Sequence, residues 1–161
     1  MAVPTPEAWR RAKDIEFTIG KEGWGIYELE ENAEIRARVV LLKLLKISIE
    51  GIPEPQYAPS SVALVSVNAP PKIRGKPPSH PATPDEVQTA EKVEVQFRTL
   101  EEPWNEYLFD DSGPKMIKLK LVVSAVQKAV GMYDNMGLPV YQVSHGTVVA
   151  PPVPRKISSG R

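Results

Sequence analysis

The chain has 161 residues, no cysteine, and 20 basic against 20 acidic side chains, which give a formal net charge of zero. The missing cysteines exclude disulfides and thiolate metal sites, and the charge balance removes any global attraction to nucleic acid or an anionic membrane. No apolar run approaches the ~18 residues of a membrane-spanning helix, and the first residues lack the apolar segment of a signal peptide, so we expect a cytoplasmic protein with no membrane partner.

The first predicted element is a short helix at residues 6–13. Thr5 is a good N-cap, Pro6 suits the first helical position, and Glu7 places an acid in the first turn. The helix is followed by strand patterns. The first half of the chain therefore begins with a helix of about two turns and continues as β structure.

Four strands are predicted in the first half, at residues 14–19, 24–29, 34–49 and 61–67. In the first strand, polar and apolar residues alternate, which places Ile15, Phe17 and Ile19 on one half-buried face. The run LLKLLKIS at the back of the third strand loses this period of two. Its pattern leaves both strand and helix open.

A proline-rich, basic segment at residues 72–82 has the composition of an extended linker. Thr83 and Glu86 then form a capping box, which predicts a second short helix. Five strands are predicted after it, at residues 92–99, 104–109, 116–126, 140–143 and 147–149. The run SAVQKAV is as ambiguous as LLKLLKIS, and residues 153–161 are predicted to form a flexible tail.

The two halves resemble each other in sequence. Phe, Trp and Tyr occur in the same frame 80 residues apart, as Phe17, Trp24 and Tyr27 and again as Phe97, Trp104 and Tyr107. The helix caps, the Gly-x-Pro crossings and the Ala-Pro-Pro exits also recur in the same order. This pattern predicts an internal duplication, with one repeat at residues 5–71 and the other at residues 83–152.

A repeat of about 70 residues buries little surface alone, so we expect the two repeats to pack as one globular unit. The predicted class is mostly β with short helices. The predicted architecture is a small β-barrel or a pair of facing sheets with pseudo-two-fold symmetry. The sequence does not decide between one barrel and two.

One candidate binding surface is a basic stripe. Arg36 and Arg38 share one strand face, Lys118 and Lys120 share another, and the two stripes could join into a surface for phosphates. Trp24 and Trp104 complete this set as possible stacking platforms. The alternative is an ordinary solvated strand face, or edge lysines that oppose aggregation.

Four further aromatic residues are predicted to be structural core, namely Phe17, Tyr27, Phe97 and Tyr107. No catalytic, cofactor-binding or metal site is predicted, and no cofactor is expected. The acidic turns around residues 28–31 and 110–111 match no calcium loop, and two histidines without cysteine do not make a zinc set.

Three functions are compatible with these patterns. The first is a non-enzymatic binding or assembly protein that presents its duplicated β surfaces to a protein partner or to itself, with exposed edges suited to strand addition. The second is a nucleic-acid-binding accessory protein that uses the basic stripes. The third is a small-molecule enzyme or carrier with a pocket between the repeats.

Overall fold

The fold is mostly β. A computed structural model describes residues 3–155, which form two antiparallel five-stranded sheets and two short helices. The expected mostly-β class with short helices is therefore confirmed. The barrel alternative is wrong, since both sheets are open over the described residues and no strand pair closes either of them.

Each half of the chain contributes one helix and five strands. In the first half these are α1 (Pro6–Arg10), β1 (Lys13–Ile15), β2 (Phe17–Lys21), β3 (Gly25–Leu29), β4 (Glu34–Ile47) and β5 (Gln56–Asn68). In the second half they are α2 (Pro84–Thr89), β6 (Lys92–Glu94), β7 (Phe97–Glu101), β8 (Asn105–Asp110), β9 (Pro114–Tyr133) and β10 (Pro139–Pro154).

Both helices begin at the predicted caps. The Thr5 hydroxyl accepts a hydrogen bond from the Ala8 amide, and the Thr83 hydroxyl accepts one from the Glu86 amide, each at 3.2 Å. Helix α1 ends at Arg10, three residues earlier than predicted. Neither helix buries a residue, so the core comes from the strands.

The two sheets have the same construction. In the first sheet, β5 runs along one side of β4, whereas β1 and β3 share the other side and β7 lies beyond β3. In the second sheet, β10 runs along one side of β9, whereas β6 and β8 share the other side and β2 lies beyond β8. The long hairpins β4–β5 and β9–β10 thus form the frame of the molecule.

Each half places one strand in the sheet of the other half. The chain leaves the first sheet after β1 and enters the second as β2; it leaves the second sheet after β6 and enters the first as β7. Residues 14–19, predicted as one strand, are therefore two strands in different sheets. Ile19 lies on the edge strand β2 and is 60% exposed, so its predicted half-buried place is wrong.

The ambiguous runs are strands. LLKLLKIS belongs largely to β4, because β5 pairs with β4 as far as Ile47, and SAVQKAV belongs to β9, which pairs with β10 and β6. Strand β10 joins the two strands predicted at residues 140–143 and 147–149. It continues to Pro154, two residues into the predicted tail; residues 156–161 of that tail lie outside the described part of the chain.

Both sheets supply one hydrophobic core. Tyr27 and Ile35 from the first sheet and Tyr107 and Ile117 from the second have no exposed surface, and all four belong to a single buried cluster. Phe17 and Phe97 pack against this cluster and are half-buried. The ring of Phe17 lies edge-on to Tyr107, and the ring of Phe97 lies edge-on to Tyr27.

The predicted linker at residues 72–82 contacts the second half. The Gly75 amide donates a hydrogen bond of 2.8 Å to the carbonyl of Gly137, in the turn between β9 and β10. The Tyr133 ring lies so close to Gly75 that a Cβ atom there would come within 2.4 Å of it. A glycine is therefore needed where the linker crosses this ring.

Candidate functional site

The basic stripes lie on the outer faces of the two sheets. Arg36 and Arg38 alternate along β4 with residues of the core, and both guanidinium groups lie 5.2 Å from the ring centre of Trp24. On β9, the Lys120 ammonium group lies 5.0 Å from the ring centre of Trp104. Each tryptophan is half-buried and covers a cation of the neighbouring strand.

Glutamates pair with three of the four basic residues. Arg38 forms an ion pair with Glu22, Lys120 lies 3.4 Å from Glu102, and Lys118 lies 3.7 Å from Glu106. Arg36 is exposed and contacts the Trp24 ring. Nearby glutamates therefore balance most of the positive charge of the stripes, which weakens their electrostatic attraction for phosphates.

The structure does not bring the two stripes together. Arg36 and Arg38 alternate with Ile35 and Ala37, whereas Lys118 and Lys120 alternate with buried residues of β9 that belong to the same core. Because one core lies beneath both sheets, their outer faces point away from it and from each other. The single phosphate-binding surface expected from the sequence is not formed within one chain.

The same glutamates connect the outer faces with buried tyrosines. The Tyr27 hydroxyl donates a hydrogen bond of 2.8 Å to Glu102, and the Tyr107 hydroxyl donates one of 2.8 Å to Glu22. Two effects raise the pKa of Tyr27 to about 12. Burial is the larger, and the hydrogen bond to Glu102 is the second. Burial and the bond to Glu22 likewise raise the pKa of Tyr107.

A second polar cluster lies where the turn before β9 reaches the β4–β5 hairpin. Asp111 accepts hydrogen bonds from Lys46 at 3.0 Å and from the Tyr57 hydroxyl at 2.5 Å. The bond from Lys46 and then that from Tyr57 lower the pKa of Asp111, whereas burial and the bond to Asp111 raise the pKa of Tyr57 to about 12. A further contact between the halves joins Lys128 of β9 to Glu31, whose two carboxylate oxygens each accept a hydrogen bond of 3.0 Å.

An open cleft of about 580 Å³ adjoins the Asp111 cluster and is lined by residues of both halves. Lys46 and Tyr57 on its wall already bind Asp111, so their polar groups are engaged within the protein. Prolines of β10 form much of the remaining wall. Lys46, Tyr57 and Asp111 are therefore not free to fix a small ligand in this cleft.

The long edge strands are a further candidate surface; the sequence suggested exposed edges but did not identify the strands that form them. Strand β5 has 13 residues and β10 has 16, and neither contains Asp, Glu, Lys or Arg. Over residues 3–155, each pairs on one side only, β5 with β4 and β10 with β9. Exposed aliphatic residues follow both strands, namely Val62, Leu64 and Val65 on β5 and Val148, Val149 and Val153 on β10.

In the described part of the chain, no three His, Cys, Asp or Glu residues are grouped so that they could hold a metal ion. None of the helices between residues 3 and 155 has the length and apolar composition needed to cross a membrane. Comparison of the chain with protein-family models, with curated proteins and with solved structures found no match.

Proposed function

We propose that the chain is a non-enzymatic binding or assembly protein that accepts extended protein segments along its exposed sheet edges. The observation that carries this proposal is the pair of long edge strands, β5 and β10, which lack charged side chains and expose aliphatic ones. The edge of a sheet presents unpaired backbone N–H and C=O groups, which template the addition of another strand.

The outer faces add apolar area beside these edges. On the first sheet, Leu42 is 57% exposed and Leu64 is 45% exposed, and they lie near Val62 on the same side as Arg38. On the second sheet, Val148 lies opposite Lys120 in the same arrangement. An added strand would gain backbone hydrogen bonds from the edge and side-chain contacts from these neighbours.

We further propose that the two halves arose as copies of one module and are related by a pseudo-two-fold axis. The equal order and pairing of their strands support this, as does the recurrence of matched contacts. The contact of Tyr27 with Glu102 mirrors that of Tyr107 with Glu22, and the Trp24–Arg38 contact mirrors the contact of Trp104 with Lys120. A cytoplasmic location stays a prediction of the sequence.

The test is fluorescence anisotropy with a labelled peptide of alternating valine and threonine, which forms strands readily and carries no charged side chain. A peptide of the same length with proline at every second position is the control, because proline cannot donate to a strand ladder. We expect the valine–threonine peptide to bind and the proline peptide not to bind. Leu64→Lys should weaken binding, whereas Met136→Lys, at an exposed turn position, should not.

Labelled single- and double-stranded DNA and RNA, at low and moderate salt, form the second arm of the experiment. Binding that weakens steeply with salt and is lost when Arg36, Arg38, Lys118 and Lys120 become alanine, together with no peptide binding, would overturn the proposal in favour of nucleic-acid binding. Failure of both peptide and nucleic acid to bind would also remove strand addition as the function.

A further inference from the structure

In the described part of the chain six strands pair on one side only, and these edges differ in how they are protected. Strand β7 is short and carries Arg98 and Glu101, and β2 is short and ends in Lys21. Strand β10 has register shifts at Ser144–His145 and at Ala150–Val153, and prolines near its end. Charge, shortness, bulges and proline are the devices that keep edges from pairing. Strands β1 and β6 are also short and carry charged residues, so β5 is the edge with the longest stretch free of these devices.

Strand β5 lacks these devices over most of its length. From Ser61 to Asn68 it pairs with β4 without a register shift, and residues 60–68 contain neither proline nor a charged side chain. Its sequence there, SSVALVSVN, is rich in β-branched residues. An exposed segment of high β propensity and no charge is the pattern of an edge that associates. Such an edge needs an occupant.

We propose that this occupant is a second copy of the chain, whose own β5 pairs antiparallel with the first to form a two-fold dimer. This inference rests on the proposed function, because it names the partner of one of the two edges. The two-fold axis runs through Leu64, the middle residue of the proline-free segment 60–68. With this axis all of residues 60–68 find a partner, and Pro59 stays outside the pairing.

The proposed pairing of the two β5 strands keeps the side chains of each face on the same side of the joined sheet. A two-fold axis normal to the sheet keeps outer residues on the outer face, so residues that lie opposite each other must be an even number apart in sequence. With the axis at Leu64, this residue lies opposite Leu64 of the second copy, and Val62 lies opposite Ser66. Leu64 is 45% exposed and Val62 is 40% exposed in the single chain, so both have surface left to bury.

Charge does not oppose this pairing. No charged side chain lies on either β5, and the nearest like charges, Arg38 of the two copies, lie on β4 strands three strand spacings apart. That separation is about 14 Å at a spacing of about 4.8 Å between strands. It exceeds the screening length of about 8 Å at physiological salt, and Arg38 is already paired with Glu22.

The pairing of β5 with β5 also closes the assembly. A contact between β5 and the β10 of another chain would be heterologous and would form a ring or an open filament, whereas β5 with β5 is isologous and stops at two copies. The bulges and prolines of β10 disfavour this heterologous contact. The dimer would contain one continuous sheet formed from the first sheets of both copies.

The experiment measures the mass of the full chain by sedimentation over a wide concentration range. We expect a monomer–dimer equilibrium for the wild type, and a dimer dissociation constant at least ~10-fold higher for Leu64→Lys, because like charges directly opposite each other on paired strands are destabilising. Val148→Lys places the same charge on β10 and should leave the equilibrium unchanged. Circular dichroism spectra of the variants test whether each of them is still folded.

A cysteine at the axis gives a second readout. The chain contains no cysteine, so Leu64→Cys introduces a single thiol that meets its own copy and should form a disulfide-linked dimer under mild oxidation, whereas Val148→Cys should not. A wild type that stays monomeric, a dimer that Leu64→Lys does not weaken, or equal cross-linking of both cysteine variants would overturn the inference. If the protein is monomeric but still binds the valine–threonine peptide, only the second copy fails as the occupant, and the proposed function stands.

Discussion

Tyr27 and Glu102 join the buried core of one sheet to the surface of the other half of the chain. The Tyr27 hydroxyl donates a hydrogen bond of 2.8 Å to the Glu102 carboxylate, which lies in turn 3.4 Å from Lys120. Tyr107 and Glu22 form the matching bond at the same distance. Both bonds cross between the halves, so each half completes the polar contacts of the other.

Removing either hydroxyl should therefore destabilise the protein by similar amounts. Tyr27→Phe and Tyr107→Phe each remove one of the donors to a partly buried carboxylate, which we expect to cost about 1–2 kcal/mol in the free energy of unfolding. Chemical denaturation measures this loss. Tyr133→Phe is the matched control, since the described residues show no hydrogen bond to its hydroxyl, and it should be neutral. A neutral result for only one of the two buried tyrosines would show that the halves are not equivalent.

The two outer-face tryptophans should also behave alike. Trp24 and Trp104 are half-buried over basic side chains, so their replacement by alanine loses part of a burial term and a cation–π contact. We expect a loss of about 1–2 kcal/mol from each. Trp9→Ala is the control. Trp9 lies on α1 and is 45% exposed, so this substitution should change the free energy of unfolding little. A loss like that of a fully buried aromatic residue, about 3–5 kcal/mol, would contradict the outer-face position.

The local pattern of the sequence predicts most strands but not the sheets to which they belong. The alternation of Ile15, Phe17 and Ile19 continues through Glu16, so no local signal marks the point where the chain changes sheets. That change is decided by pairing with β4 and β8, whose residues are far away in sequence. For the same reason, the alternation of polar and apolar residues around Ile19 could not predict that its side chain is exposed.

The candidate surfaces show the same limit. The basic stripes follow from the period of two, but their neutralisation depends on Glu22 and Glu102, which lie in turns distant from Arg38 and Lys120 in sequence. The absence of charge from β5 is visible in the sequence. Its position at a sheet edge is not, because an uncharged, valine-rich run fits a central strand equally well.

Alkaline pH should destabilise the fold. The pKa of Tyr27 is about 12 in the folded protein, against the value of about 10 expected in the unfolded chain. Between these values the folded state keeps a proton that the unfolded state has released, so the stabilisation is fully present below pH ~10 and is lost as pH rises through 12. The two-unit difference corresponds to roughly 3 kcal/mol for this residue.

Denaturation at a series of pH values, with phenolate absorbance as the titration readout, measures this loss. Tyr27→Phe should reduce the fall in stability above pH ~10, because it removes one of the shifted groups. An unfolding free energy that stays constant up to pH ~12 would contradict the burial of these phenols.

The exchange of strands between the halves makes a strong prediction about fragments. A fragment of residues 5–71 lacks β7, the neighbour of β3, and its β2 has lost β8; a fragment of residues 83–152 is deficient in the corresponding way. Each also loses half of the shared core and the tyrosine–glutamate bonds, so neither should show a cooperative thermal transition. Mixing the two should restore one, because the residues missing from both fragments lie in the connecting segment and at the two ends of the chain. Circular dichroism melting curves of each fragment and of the equimolar mixture measure this, and the uncut chain is the reference. A sharp transition in either fragment alone, as a monomer, would contradict a fold built on exchanged strands.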